Sequence, residues 1–326
     1  MRITALEEHF VVPELVSAWE RLTGGTAHGG GDDELSRRLR DVGEERIAAM
    51  DDQGVDVQVL SLTSPGVQNL GAADAVAVAR DANDALAGFV AARPDRFQAF
   101  AAVPTPDAAG AAEELERAVT ALKFRGALLN GRTGAVNADD RRYDDLYGVA
   151  ARLRAPLYLH PQTPTEPVRQ QYYSGFGDAV DDAFASFGVG WHYETGVQLL
   201  RMILGGVFDR HPDLQVVVGH WGEVVLFYLE RIDGLSRVTR LERPVSETFR
   251  RHVSVTPSGM WSQRYLRWAL EVLGPERIMF SSEYPYRFTP AGGARRFLAE
   301  ADLSDADRHA IAHGNWERLV AAIRRS

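Results

Sequence analysis

Short apolar runs alternate along this chain with longer amphipathic stretches, and this alternation restricts the fold more than any other feature. Eight runs have the length and the β-branched or apolar content of buried strands: Arg2–Leu6, Val55–Leu60, Phe97–Val103, Gly126–Asn130, Pro156–His160, Leu214–Gly219, His252–Val255 and Arg277–Phe280. Helix-like segments lie between most of them: Glu44–Asp52, Ala73–Ala92, Ala109–Leu122, Tyr143–Leu153, Thr195–Phe208, Glu223–Asp233 and Tyr265–Leu273. Eight such repeats in 326 residues predict an α/β fold, a closed (β/α)8 TIM barrel.

Two connections are too long for simple turns. Pro13–Arg40 follows the first strand and contains a glycine-rich stretch, and Gln162–Trp191 follows the fifth strand and is rich in Tyr, Phe and Gly. Both follow a strand, so we expect long β1–α1 and β5–α5 loops at the carboxyl face of the barrel, where such loops often form pocket walls. The glycine-rich stretch is also typical of a flexible surface loop. With no shift in composition, residues 1–326 are expected to form one domain.

Composition and net charge exclude some classes of function and some kinds of partner. The chain contains no cysteine, which excludes thiolate metal sites and cysteine nucleophiles and agrees with a cytoplasmic enzyme. A net charge of −9 without a basic run makes nucleic acid an unexpected partner, and no apolar run is long enough for a spanning helix. An acidic protein repels anionic ligands at long range, so a pocket for a carboxylate must supply local positive charge from a metal or from arginines.

Polar residues at the ends of predicted strands indicate a metal site. Glu7 and His9 follow the first strand, and His160, His220 and Glu283 follow the fifth, sixth and eighth. Carboxyl ends of barrel strands converge on one mouth, and residues two apart in a strand face the same side. Imidazole and carboxylate groups converging there predict a divalent metal with catalytic residues beside it.

Further residues have both a structural and a functional interpretation. Glu223 could compensate the start of the next helix or orient His220. Arg132 and Arg231 could bind an anion or lie at the surface. Aromatic residues could stack on a planar substrate or pack in the core: Trp191, Trp221, Tyr284 and Tyr286. His28 and His192 lie in the long loops, where we expect structural or solvated histidines.

Several motifs resemble the decarboxylase branch of the amidohydrolase superfamily, which includes γ-resorcylate, 2,3-dihydroxybenzoate, 5-carboxyvanillate and aminocarboxymuconate-semialdehyde decarboxylases. The resemblance covers nearly the whole chain and is strongest to the γ-resorcylate group. The matching segments are ALEEHF, GVDVQVLSLTSPGVQ, RPDRFQAFAAVP, GALLNG, YLHP, HPDLQVVVGHWGE with the following RID, and RIMFSSEYPY.

This resemblance implies roles for individual residues. Glu7, His9 and His160 would bind the metal, zinc by expectation and manganese as the alternative. His220, supported by Glu223, would be the catalytic histidine. Arg231 would reach the substrate carboxylate in a neighbouring subunit of a homodimer or homotetramer. Apart from the resemblance, Arg132 is an expected substrate contact because it follows the fourth strand on the active face, and Trp191 and Tyr284 are expected contacts because they could stack on a planar ring.

Glu283 stands where this family has aspartate, and its longer side chain allows two roles. It could bind the metal from a shifted backbone, or stand over the substrate as an acid and base. We favour the second, because three protein ligands suffice for a catalytic site with open positions.

The expected reaction is non-oxidative decarboxylation of a small hydroxylated aromatic acid of the ortho-hydroxybenzoate type. The metal would hold the ortho hydroxyl and the carboxylate, and an acid would protonate the ring carbon. Two alternatives remain. A hydrolase or hydratase on the same barrel would attack an ester, lactone or amide with activated water, and a metal-free barrel would only bind its ligand.

Overall fold

The computed structural model describes residues 1–24, 27, 29–239 and 241–325. Its strands are β1 (Thr4–Phe10), β2 (Val57–Leu62), β3 (Phe97–Ala99 and Ala101–Ala102), β4 (Ala127–Asn130), β5 (Leu157–His160), β6 (Val216–Val218), β7 (Val253–Val255) and β8 (Phe280–Ser281). Each pairs in parallel with its neighbour in the chain, β8 returns to β1, and a bridge from Val255 to Ile278 joins β7 to β8. The predicted closed barrel is therefore confirmed.

Helices surround the barrel and cover the outer face of its strands. The α-helices are α1 (Pro13–Thr23), α2 (Glu34–Arg40), α3 (Glu44–Gln53), α4 (Ala72–Ala92), α5 (Ala108–Thr120), α6 (Asp144–Leu153), α7 (Glu166–Tyr172), α8 (Asp178–Ala183), α9 (Gly190–Leu204), α10 (Val207–Arg210), α11 (His220–Glu223), α12 (Val225–Ile232), α13 (Val245–His252), α14 (Gln263–Leu273), α15 (Gly293–Ala299), α16 (Asp305–His309) and α17 (Asn315–Ala321). None of the helices in these described ranges is long and apolar enough to cross a bilayer.

The strands are buried along their whole length, which explains their composition. β2 reads VQVLSL and β6 reads VVV, and nearly every strand residue is buried. Parallel strands covered by helices on one side and filled by side chains on the other have no solvent face, so they lack a polar alternation. The core thus occupies the barrel interior and the layer between strands and helices.

The two long connections differ from simple loops. The segment after β1 contains α1 and α2, and the segment after β5 contains α7 and α8 and leads into α9. A second correction concerns His252, which was expected to open a strand but is the last residue of α13. His28 lies outside the described residues.

Candidate active site

A cavity of about 1030 Å³ opens at the carboxyl ends of the strands. Its wall includes His9 from β1, His160 from β5, His220 and Glu223 after β6, and Glu283 after β8. The loops that follow parallel strands all emerge on this face, which is why residues far apart in sequence meet here.

Glu7 is fully buried on a bulged part of β1, beside the cavity-lining residues His9 and His160. The pairing of β1 with β2 shifts between Ala5 and Glu8, and Glu7 has φ +67°. The expectation that Glu7 and His9 follow the first strand was wrong, because the strand continues through both to Phe10. The bulge adds one residue and redirects side chains, and donor atoms of Glu7 and His9 still lie in one cluster.

The carboxylate of Glu7 is buried, and no lysine or arginine among the described residues forms an ion pair with it. Tyr158 donates to Oε2 at 2.5 Å and Ser258 donates to the same oxygen. Burial raises the pKa of Glu7 to about 8, although nearby His220 acts in the opposite direction. A carboxylate held in this way requires a proton or a cation close by.

His160 supplies the observation that fits a metal best. Its Nδ1 lies 2.9 Å from the carbonyl of Pro161, to which it can only donate, so Nε2 carries a lone pair. That Nε2 lies 3.4 Å from Glu7 Oε1, and burial lowers the pKa of His160 to about 3. Two electron-rich atoms therefore face each other, an arrangement that a divalent cation between them would stabilise.

The donor atoms of Glu7, His9 and His160 lie within 4.8 Å of one another, and all three residues are buried. Two imidazoles and one carboxylate are a common ligand set for a catalytic divalent metal, so these residues fit the ion that the sequence predicts. Glu283 does not belong to this cluster, although it lines the same cavity.

A second cluster links two histidines through one carboxylate. Glu223 Oε1 lies 2.6 Å from His220 Nδ1, and Glu223 Oε2 lies 2.8 Å from His192 Nδ1. Burial would lower the pKa of His220, but Glu223 and Glu283 outweigh it and the pKa is well above the usual value. His220 Nε2 then lies 3.3 Å from Glu283 Oε1, so a proton can pass between these two atoms.

Four residues of the site have left-handed backbone conformations: Glu7, His220, Glu223 and Glu283, with φ between 47° and 67°. Such angles are unfavourable for side chains with a Cβ and concentrate at functional sites. At Gly219, before His220, a Cβ would lie 2.5 Å from Ser258 Oγ and 3.1 Å from Glu7 Oε1. Glycine therefore lets the end of β6 approach Glu7.

Glu8, which points away from the cavity, fixes the loop that carries Glu283. Its Oε1 accepts from Ser282 N at 2.8 Å, and its Oε2 accepts from Ser282 Oγ at 2.6 Å and from Tyr284 N at 3.3 Å. The residues on both sides of Glu283 are thus bonded to β1, which holds Glu283 in its strained conformation.

The residues expected to contact the substrate differ in whether they line the cavity. Trp191 and Arg132 line the cavity. Arg132 already pairs with Glu194 at 3.1 Å and donates to Thr163 O at 2.7 Å and to Gly134 O. Arg231 is exposed on α12 and does not line the cavity of its own chain.

Tyr284 was wrongly placed in the pocket. It is 2% exposed, its ring lies under the Arg46 guanidinium at 4.8 Å, and it does not line the cavity. The positive φ of Glu283 breaks the strand geometry, so the side chain of the next residue turns into the core. Tyr286 lines the cavity instead, with its ring 5.5 Å from that of His9.

Other cavity residues were not predicted from the sequence. His192 was expected to be structural or solvated, yet it lines the cavity and bonds Glu223. Arg169 and Arg287 were not considered, and only their place in the segments after β5 and β8 could have indicated them.

The geometry and the comparisons together define the class of protein: the chain belongs to the amidohydrolase family, whose model matches residues 9–321. The γ-resorcylate decarboxylase of Rhodococcus jostii (strain RHA1) is 36% identical over 331 residues, covering 97% of each chain.

Two solved structures are similar over the whole fold. One is a 2,6-dihydroxybenzoate decarboxylase complexed with 2,6-dihydroxybenzoate, with TM-score 0.87 and 33% identity over 98% of this chain and 99% of that one. The other is a dihydroxybenzoic acid decarboxylase from Polaromonas sp. JS666 with bound manganese and the inhibitor 2-nitroresorcinol. Its TM-score is 0.85, with 32% identity over 98% and 97% of the two chains.

Proposed function

We propose that this protein is a metal-dependent, non-oxidative decarboxylase of a small hydroxylated aromatic acid. The observation that carries the proposal is the cluster of Glu7, His9 and His160, of which the two histidines line the same cavity as the paired His220 and Glu283. The similarity to decarboxylases of dihydroxybenzoates supports the same substrate class. A bound divalent metal would supply positive charge and Lewis acidity for an ortho hydroxyl and its neighbouring carboxylate.

The side chains of this chain would move the proton. Decarboxylation breaks the bond between ring and carboxylate, and the ring carbon must take up a proton. Glu283 is the proposed donor because it lines the cavity outside the metal cluster. His220 Nε2 would return a proton to Glu283 across 3.3 Å, and Glu223 would keep His220 oriented and basic. Trp191 and Tyr286 would flank the planar ring.

We propose zinc as the resident ion, because two imidazoles and a carboxylate match its preferred catalytic ligands. Manganese is the competing choice, given its presence in the Polaromonas structure. Elemental analysis of protein purified without added metal distinguishes the two ions.

We also propose a cytoplasmic homodimer or homotetramer in which Arg231 reaches the neighbouring active site. Arg231 shares α12 with exposed Phe227 and Tyr228, and Phe227 stacks on Trp268 at 4.2 Å. An exposed aromatic patch of this kind suits an interface between subunits. Arg231→Lys should raise KM with the oligomer intact, and full activity in a verified monomer would contradict the proposal.

The decarboxylase proposal is tested by incubating the metal-analysed protein with a panel of hydroxybenzoates and measuring CO2 and ring product together. We expect one CO2 per ring product for an ortho-hydroxy acid. Turnover of an ester, lactone or amide without CO2 would support the hydrolase alternative instead.

A further inference from the structure

One buried arginine lies against residues of the active site without lining the cavity. Among the arginines that the structure describes, only Arg46 is fully buried. It belongs to α3, and the cavity wall does not include it. Burying a guanidinium is costly unless its N–H groups find partners, so the groups that satisfy Arg46 define its role.

The guanidinium of Arg46 bonds to three separate segments of the chain. Its Nη2 donates to the carbonyl oxygen of His9, near the end of β1, at 2.5 Å. Its Nη1 donates to Gln58 Oε1 on β2 at 3.2 Å, and its Nε donates to the carbonyl of Asp41, between α2 and α3, at 2.8 Å. One planar group therefore ties α3 to two strands, and one of its bonds goes to the backbone of a proposed metal ligand.

The same guanidinium contacts the loop that carries the proposed proton donor. Its central carbon lies 4.8 Å from the ring centroid of Tyr284, the residue after Glu283. The carbonyl of Tyr284 in turn accepts from the amide of His9 at 2.7 Å. The ends of β1 and β8 are thus joined directly by a backbone hydrogen bond and a second time through Arg46.

A further connection to this loop runs through Gln58. Its Nε2 donates to Glu8 Oε2 at 3.0 Å. The carboxylate of Glu8 accepts from the amides of Ser282 and Tyr284, on both sides of Glu283. Gln58 and Glu8 are fully buried, so breaking this connection would leave polar groups unsatisfied in the core rather than exchange them for water.

We propose that Arg46 is a positioning residue that sets the separation between the metal ligand His9 and the proton donor Glu283. The inference rests on the proposed decarboxylase function and assigns to it a residue outside the cavity. Lysine cannot replace this arginine, because an ammonium lacks both the planar face that stacks on Tyr284 and the fork that reaches three acceptors. The effect on rate is large, since misplacing a reacting group by about 1 Å can cost roughly 100-fold.

The bond from Arg46 to His9 is tested without turnover, by the visible absorption of protein reconstituted with Co2+, whose bands report ligand geometry. Arg46→Lys should change this spectrum and weaken cobalt binding on the order of 10- to 100-fold, the usual effect of losing a group that orients a metal ligand. Arg96→Lys is the matched control and should behave as wild type. Arg96 also anchors α3, but through Asp51 at 2.7 Å, near the opposite end of the helix.

The connection to the Glu283 loop is tested with Gln58→Met, which removes the link to Glu8 and keeps the bond from Arg46 to His9. With kcat counted per bound metal, its value for an ortho-hydroxybenzoate should fall on the order of 10- to 100-fold. KM should stay near the wild-type value, because neither Gln58 nor Arg46 lines the cavity. A merely structural role would reduce the amount of folded protein and leave kcat per bound metal unchanged.

An unaltered cobalt spectrum in Arg46→Lys would overturn the inference, as would a wild-type kcat in Gln58→Met. Equal changes in Arg96→Lys would also overturn it, since any anchor of α3 would then have the same effect. If Arg46→Lys fails to fold, Gln58→Met decides alone. The decarboxylase proposal fails separately, if wild-type protein binds cobalt but releases no CO2 from any hydroxybenzoate; the cobalt spectra still decide in that case whether Arg46 positions His9.

Discussion

Replacing Glu223 by glutamine tests whether this carboxylate orients His192 and His220 and raises the pKa of His220. The carboxylate is fully buried and accepts one hydrogen bond from each imidazole, at 2.6 Å from His220 and 2.8 Å from His192. Glutamine keeps the shape but removes the charge, and its NH2 group can no longer accept. One histidine must therefore change its tautomer or lose its partner.

The magnitude follows from this geometry. A hydrogen bond to a charged group contributes about 1.5–3 kcal/mol, and one pKa unit corresponds to about 1.4 kcal/mol. The pKa of His220 should therefore fall by about one to two units in Glu223→Gln.

The stability effect has a definite sign. The raised pKa of His220 stabilises the fold below the usual histidine value of 6.5, and this contribution is lost as the pH rises through the folded pKa. The lowered pKa of Glu223 stabilises the fold at pH values above 4.5, the usual pKa of a glutamate. The stability deficit of Glu223→Gln should accordingly be largest between about pH 4.5 and 6.5 and should shrink as the pH rises further.

The assay is an NMR titration of the His220 ring in metal-free protein, with urea unfolding at several pH values. Glu194→Gln is the matched control, because Glu194 pairs with Arg132 and has no bond to His220. An unchanged titration of His220 in Glu223→Gln would refute the reasoning.

Three further predictions follow from the same site. Glu283→Gln should keep the metal and bind product while turnover falls at least ~100-fold, with partial recovery in Glu283→Asp; loss of metal would make Glu283 a ligand instead. His9→Ala should lose metal by elemental analysis while the circular dichroism of the fold is kept, and full wild-type activity without metal would contradict the assignment. Ser282→Ala should lower the free energy of unfolding by about 1.5–3 kcal/mol in urea, since it removes a donor from the buried Glu8 carboxylate; an unchanged value would show that this bond does not stabilise the loop.

The barrel could be predicted because its signal is repeated. Eight apolar runs separated by amphipathic segments leave few alternatives, and most strand and helix bounds differ from the prediction by only a few residues. Among the helices missed within the two long connections, α2, α7 and α8 are short and lack a sustained apolar period. The 11-residue α1 was also missed, although it has an apolar face formed by Leu15, Val16 and Trp19. Short helices depend on tertiary contacts more than on local sequence.

The site was predicted where a residue type and a strand end coincided. Glu7, His9, His160, His220 and Glu283 were found in this way. The structure places the last four in the wall of one cavity and clusters Glu7 with His9 and His160. Their roles stay predictions.

The errors arose where the backbone leaves regular geometry. The bulge at Glu7 and the left-handed Glu283 change where the following side chains point, and alternation cannot anticipate either. Tyr284 was misplaced for this reason. His192 was undervalued because its partner, Glu223, is 31 positions away and meets it only in the folded chain.

The most direct test of a metal-dependent decarboxylase uses an ortho-hydroxy acid labelled with ¹³C in its carboxyl group. Metal-stripped protein and protein reconstituted with zinc or manganese are incubated with it in D2O, and labelled CO2 and ring product are measured. We predict one labelled CO2 per ring product and a single deuterium at the carbon that carried the carboxylate, both only after metal is restored. Ring product without labelled CO2, or an equal rate in the stripped protein, would contradict the account.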